Sequence, residues 1–329
     1  MMYYIKSNQH DATYNLALEQ YVFDQLDRQH SYLMLWQNAN AVIIGKHQNT
    51  VEELDASFVD KHAIQVVRRL SGGGAVYHDM GNINFTFISN MEGESFAFSA
   101  FCQPVIDVLR KMGVNAQVSG RNDMTIDGMK FSGNSQYMKQ GRIMHHGTIM
   151  YDSDLGTLAQ ALTVAPDKIQ SKGFKSVRSR VTNVRQHVPD DHDVSYFLRF
   201  LESELLAQFD AQPLAWDERQ EQQVRALQRE VYQSWEWNYG QSPDWNIRKT
   251  RRFEHVGHIE LRMDVSGGKI RDIAFFGDFF AQKDHDALIA ALRGATLTQV
   301  GLRSALSSVD VNDYFHHLHP EDLLSLLLF

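Results

Sequence analysis

The chain reads as an α+β protein made of a large domain followed by a small α+β C-terminal one. Three features predict it. Short β-rich runs and stretches of helical spacing interleave over the first two thirds of the 329 residues, the composition shifts at 235–252, and a meander followed by helical stretches closes the sequence. A chain of this length fills one large domain or two ordinary ones.

Residues 12–28 set Leu18, Val22 and Leu26 at i, i+4 and i+8, one face of a helix. YLMLWQ (32–37) and AVIIG (41–45) are strand candidates separated by a turn at Asn38-Ala39-Asn40, and IQVVRR (64–69) is a third. INFTFI (83–88) alternates, with Ile83, Phe85 and Phe87 on one face and Asn84 and Thr86 on the other. Phe98, Phe101, Val105, Val108, Leu109 and Met112 share helical spacing ahead of Gly113, a helix stop. Pro104 inside that span predicts a kink, or a helix that starts near it. Strand signals fill 115–152, with turns at Asp127-Gly128 and Lys139-Gln140-Gly141, and helices follow near 154–162 and 194–209. The domain join falls at 235–252, where Trp235, Trp237 and Trp245 surround Gly240 and Pro243 and IRKTRRF follows. HIELRMDV, GGKI and IAFFGDFF then make a meander turned at Ser266-Gly267-Gly268. Helices over about 284–293 and 311–328 complete a second domain of ~80 residues.

Apolar residues make up 43% of the chain and charged residues 22%. The charges, 32 Lys plus Arg against 40 Asp plus Glu, leave a net −8, which argues against a general binder of nucleic acid or anionic membrane. No apolar run approaches the ~18–20 residues of a spanning helix. The start, MMYYIKSNQHDATYN, lacks the basic region and apolar core of a secretion signal. One cysteine, Cys102, leaves no internal disulfide framework and no cysteine zinc cluster. The expectation is a soluble cytoplasmic protein.

The densest chemistry is RRLSGGGAVYHDMGN (68–82). Three glycines between strands bare backbone N–H groups and permit positive φ, and Arg68 and Arg69 stand directly before them, so the loop suits a phosphate or carboxylate. A glycine-rich turn with no ligand is the bland alternative. The loop is neither a Walker loop nor a dinucleotide fingerprint, because neither the Gly-Lys-Ser/Thr nor the helix-opening G-x-G-x-x-G is present. In GRNDMTIDGMKFSGNSQYMKQGRIMHHGTIM (120–150), a two-residue turn at Asp127-Gly128 pairs Ile126 with Met129 and Thr125 with Lys130. Carried outward, the register pairs Asp123 with Ser132 and puts Asp123, Thr125, Lys130 and Ser132 on one polar face, with Met124, Ile126, Met129 and Phe131 on a core face. Diagonal neighbours there lie ~7–8 Å apart, room for a phosphate with Mg²⁺. A surface ion pair is the ordinary reading of such a face. Lys168, Lys172, Lys175, Arg178, Arg180 and Arg185 form a basic run without an acidic residue, either a partner contact or a solvated face; Arg248, Lys249, Arg251 and Arg252 form a smaller group.

His145 and His146, adjacent on a strand, point to opposite faces and cannot share a metal; His316, His317 and His319 match no zinc spacing. Cys102 sits on an apolar helix face and is expected to be inert, and no G-x-S-x-G nucleophile elbow is present.

RRLSGGGAVYHDMGN, GRNDMTIDGMKFSGNSQYM, HHGT (145–148) and SVRSRVTNV (176–184), with WQNANAVIIGKHQN (36–49) and SWEWNYGQSP (234–243), resemble the lipoate–protein ligase A family over essentially the whole chain. The resemblance implies a large mixed-sheet catalytic domain of the biotin/lipoate-ligase type over residues 1–240 and an accessory domain over 250–329. It implies ATP-dependent formation of lipoyl-AMP with Mg²⁺. The lipoyl group then passes to a lysine on lipoyl domains of 2-oxoacid dehydrogenase complexes or on the glycine-cleavage H protein. Lys130 stands where the family's essential lysine stands. Arg69 and Gly74-Ala75-Val76-Tyr77 match nucleotide-contacting positions; Trp36, Ser71, His78 and His146 match positions around lipoate or its adenylate; Asp123 is the candidate magnesium contact. The Asp127-Gly128 hairpin is tighter than in some relatives. An ATP-independent lipoyl or octanoyl transferase between carrier proteins is the nearest rival. It is disfavoured because Cys102 is the only cysteine available to such a mechanism. A biotin ligase and a non-catalytic sensor are further alternatives.

Overall fold

A computed structural model describes residues 1–48, 50–90, 98–120, 122–162, 181–239, 247–266 and 268–328. Its strands are β1 (Met2–Lys6), β2 (Ser31–Trp36), β3 (Ala41–Ile44), β4 (Gln65–Arg68), β5 (Val76–His78), β6 (Asn82–Asn90) and β7 (Ala116–Ser119). They continue with β8 (Asp123–Ile126), β9 (Met129–Lys139), β10 (Arg142–Met150), β11 (Gln212–Pro213), β12 (Ile247–Phe253), β13 (Gly257–Ser266) and β14 (Lys269–Gly277). The large sheet has the order β11-β1-β2-β6-β10-β9-β8-β7 and is mixed, parallel from β11 through β1 to β2 and antiparallel beyond. A second sheet, β4-β3-β5, carries the glycine loop between β4 and β5, and β12-β13-β14 is an antiparallel meander.

Period-two alternation decides which side chains meet which helices. Leu33, Leu35, Ile83, Phe85 and Phe87 face the helices Phe98–Lys111 and Val194–Phe209, burying Cys102, Val105, Leu109, Phe197 and Leu201 with them. Their neighbours Met34 and Trp36 face the helix Ala12–Gln25 with Leu16 and Val22. That helix starts at Asp11, whose side chain accepts the Thr13 amide, and is buried nearly all round. The meander and its helices close their own core around Ile259, Leu261, Ile273, Phe315 and Leu323. It touches the rest of the chain at the loop after β3, at Gly72 and at Phe98: the His47 ring stacks on Phe279 at 4.8 Å, Lys46 pairs with Asp284, and Phe280 packs on Phe98 at 5.6 Å.

The expected elements are mostly present, with instructive differences. The first helix ends at Gln25, and Leu26 is extended. Pro104 lies inside the helix Phe98–Lys111 rather than at its start, and Gly113 follows at φ +81° as a stop. IRKTRRF is not part of a linker: it is β12, pairing with β13 from Ile247 to Phe253. The helix Glu218–Leu227 and the helical turn Gln228–Tyr232 carry few apolar residues, so the sequence gives little signal for them. The expected single helix 311–328 is two, Val311–Tyr314 and Pro320–Leu328, because Pro320 starts the second. A further helix, Gln299–Leu306, stands before them. Trp245 and Gly267 lie outside the described residues.

Candidate active site

A cavity opens between the glycine loop, β6 and the β9–β10 ladder. Of the residues singled out in the sequence, Trp36, Arg69, Gly74, Ala75, Val76, His78, Lys130 and His146 line it. Tyr77 does not. Strand alternation turns its ring to the other side of β5, where its hydroxyl donates to Asn40 Oδ1 at 3.1 Å. Ser71 lies behind the wall, its Oγ 2.6 Å from His146 Nε2.

The two arginines before the glycines have separate tasks. The Arg68 guanidinium donates to the carbonyls of Gly45, Lys46 and Gln48 at 3.0, 3.0 and 2.7 Å, and to Thr50 Oγ1 at 2.6 Å. Its donors are spent on the loop after β3 and on the carbonyls of Trp237 and Asn238. Arg69 donates from Nη2 to the carbonyls of Gly72 and Gly74 at 2.6 and 2.8 Å, and from Nε to Ser71 Oγ at 3.0 Å. It shapes the glycine loop from beneath. Burial lowers both guanidinium values to about 10, still charged at neutral pH. Of the three glycines only Gly73 has positive φ, +90°, while Gly72 has no room for a Cβ because the Phe279 carbonyl lies there.

The hairpin turn forms as expected, with Asp127 and Gly128 at φ +51° and +77°. Ile126 pairs with Met129 and Thr125 with Lys130, but a bulge then shifts the register: Met124 faces Ser132 and Asp123 faces Gly133. The expected Asp123–Ser132 pair is therefore absent, and Ser132 is fully buried. A glycine opposite Asp123 leaves the space Lys130 uses. A Cβ on Gly133 would sit 3.1 Å from Lys130 Nζ, which ion-pairs with Asp123 Oδ1 at 2.7 Å. Met124, Ile126 and Phe131 pack in the core as expected, with Met129 only half-buried.

Two residues that line the cavity carry a buried donor without a partner. Asn15 Nδ2 donates to the Gln9 and Gln37 carbonyls and to Asn38 Oδ1, which leaves Asn38 Nδ2 to donate to His78 Nδ1 at 3.1 Å. The His78 proton is then on Nε2, a buried atom with no partner. Burial, then the Arg69 charge, push His78 down to about 3, so the ring is neutral. Asn84 also lines the cavity; its Oδ1 accepts from Asn82 while its Nδ2 is buried and unpaired. Buried donors of this kind mark where a ligand's oxygens are expected.

His145 and His146 point to opposite faces, as the strand period requires. His145 is enclosed by Phe101 and Phe85, held by Gln136 and Asn134, and kept neutral by burial. Cys102 is fully buried, and burial raises its thiol to about 12. Arg185 is paired with Asp152 and Asp191, and the rest of the basic run, 168–180, lies outside the described residues.

The sequence reading missed Asn84, Gly133, Asn134 and Glu19. Glu19 had a signal: a carboxylate between Leu18 and Tyr21 on a helix otherwise apolar on that side. It is 2% exposed and accepts from His146 Nδ1 at 2.8 Å.

The sequence matches the lipoyl protein ligase A/B catalytic domain over residues 11–206 and the bacterial lipoate protein ligase C-terminus over 242–327. It is 41% identical to the lipoate-protein ligase LplJ of Bacillus subtilis over 331 aligned positions, covering 99% of this chain and all of that protein. Among solved structures, the fold resembles P. falciparum LipL1 in complex with lipoate (TM-score 0.80, 23% identity, 100% of this chain and 99% of that one). It also resembles the bi-partite lipoate protein ligase of Thermoplasma acidophilum with its E2 lipoyl domain (0.64, 26%, 75% and 98%) and a lipoate-protein ligase A bound with ATP (0.63, 24%, 73% and 98%).

Proposed function

The chain belongs to the lipoyl protein ligase A/B family, whose members are ligases, and from that premise we propose that it is an ATP-dependent lipoate–protein ligase working in two steps. Lipoate's carboxylate attacks the α-phosphate of ATP, forming lipoyl-AMP and releasing pyrophosphate. An acceptor lysine amine then attacks the acyl carbonyl and AMP leaves. The acceptors are lipoyl domains of 2-oxoacid dehydrogenase complexes or the glycine-cleavage H protein, and the site of action is the cytoplasm.

The observation that carries this reading is the Lys130 ammonium at the cavity, steadied by Asp123 in the space Gly133 leaves. Two anions must meet in the first step, and negative charge grows on the phosphoryl oxygens. A fixed ammonium between them lowers the repulsion and aligns the attack. In the second step the same charge polarises the acyl carbonyl. The loop that Arg69 shapes presents amides to the nucleotide from Gly74 to Val76. The unpaired Nε2–H of His78 and Nδ2–H of Asn84 suit oxygens of the adenylate. Trp36, with His146 and the Ser71 behind it, bounds the acyl end. Asp123 offers the one carboxylate that a magnesium ion needs when the nucleotide's phosphates supply its other oxygens, and that ion would neutralise phosphate charge. The small C-terminal unit, 250–329, is the accessory domain and 1–240 the catalytic one.

A transferase without ATP is disfavoured by Cys102, which is buried with its thiol held protonated. The test is incubation with lipoate, ATP, Mg²⁺ and an apo lipoyl domain, followed by the acceptor's mass. A lipoyl increment that requires ATP supports the ligase. An increment from an octanoylated donor without ATP supports the transferase.

A further inference from the structure

Glu19 is buried in the helix Ala12–Gln25, and one of its oxygens collects two hydrogen bonds. Thr86 Oγ1 donates to Oε1 at 2.7 Å, and Trp36 Nε1 donates to Thr86 Oγ1 at 3.0 Å. His146 Nδ1 donates to the same Oε1 at 2.8 Å. With Nδ1 carrying the ring proton, His146 Nε2 accepts from Ser71 Oγ at 2.6 Å, and Ser71 accepts from Arg69 Nε at 3.0 Å. Every donor in both arms runs toward one carboxylate. One arm ends on Trp36, a wall of the cavity; the other ends on Arg69, which grips the glycine-loop carbonyls.

We propose that Glu19 is a positioning residue that couples the two halves of the site, so that filling the acyl end pre-orders the nucleotide loop and the reverse. The inference rests on the ligase reading above, since it takes the two ligands to be an apolar carboxylic acid and a nucleotide. On a helix whose Leu18, Val22 and Phe23 are buried, the Glu19 carboxylate is fixed at Oε1 by these two bonds, and the buried Arg69 guanidinium adds a longer-range attraction. Neither arm can tilt without moving the oxygen the other depends on. A ligand that fixes Trp36 and His146 therefore fixes Ser71 and Arg69, and the second ligand meets a loop already ordered. Thermodynamic reciprocity requires the same factor in both directions.

The coupling is measured by calorimetry with lipoate and an ATP analogue whose α,β-bridge is a methylene group, each titrated alone and in the presence of the other. In the wild type each ligand tightens the other by the same factor, at least about fivefold. In Glu19→Leu, which removes the shared acceptor, the factor falls to within twofold of unity, whatever the single-ligand affinities become. Thr86→Val, which cuts only the Trp36 arm, gives the same collapse and serves if Glu19→Leu does not fold. A purely structural glutamate would alter stability or single affinities and leave the factor intact. Undiminished coupling in either variant, or wild-type binding of both ligands with no coupling, overturns the proposal. Failure of the wild type to bind either ligand counts against the ligase reading instead.

Discussion

The two faces of the β6–β10 pair use the same strands for opposite purposes. On one, Ile83, Phe85, Phe87 and His145 pack beneath the helix Phe98–Lys111. On the other, Asn84, Thr86, His146 and Thr148 line or brace the cavity. Both faces are buried, so burial alone does not separate them. The apolar face is held by volume and contact, which tolerate no gap. The polar face is held by pairing, in which each donor needs an acceptor. His145 and His146 show the contrast at neighbouring positions: one is a ring among rings, the other a link between Glu19 and Ser71. A β-sheet covered on both sides can thus spend one side on stability and the other on chemistry.

That division can be attacked from either side. Phe85→Ala empties the apolar face and should cost about 3–5 kcal/mol in urea unfolding, while the protein that stays folded keeps most of its turnover. Turnover lost in proportion to more than the unfolded fraction would blur the two faces. Gly133→Ala should do the reverse. The new Cβ meets only the flexible end of Lys130, so unfolding barely moves, whereas displacing the ammonium should slow adenylate formation about tenfold, read as pyrophosphate release. The smallest effect is titration. His145 lies well below, and His78 at about 3, where an exposed histidine titrates near 6.5. As pH falls the unfolded chain takes up protons first, so their stabilisation is whole above about 6.5 and drains below it, for His78 down to about 3. Each costs at most about 1.4 kcal/mol per pH unit. His145→Phe should flatten the fall in urea midpoint between pH 6.5 and 5.5 while leaving turnover in place; an unchanged slope would remove His145 from the account.

The periodic segments were legible because alternation survives without tertiary context. INFTFI divided its faces as the structure does, and the Asp127-Gly128 turn announced itself. The bulge after Thr125 was not legible, since one residue inserted in β9 leaves no local signature, and it moved Gly133 into the place assigned to Ser132. Arg68 and Arg69 look equivalent in sequence, yet only the folded loop tells which carbonyls each one holds. IRKTRRF read as linker because its charges hid the alternation of an edge strand, whose Arg248, Thr250 and Arg252 are exposed. Glu19 escaped because its partners, Thr86 on β6 and His146 on β10, lie far from it in sequence.

Adenylation turns on the ammonium at position 130. First-turnover pyrophosphate release by Lys130→Ala, with lipoate and ATP saturating and the unfolding transition checked, tests it directly. A loss of at least ~10²-fold in a variant that unfolds like the wild type is the predicted result. Release at near the wild-type rate would contradict it.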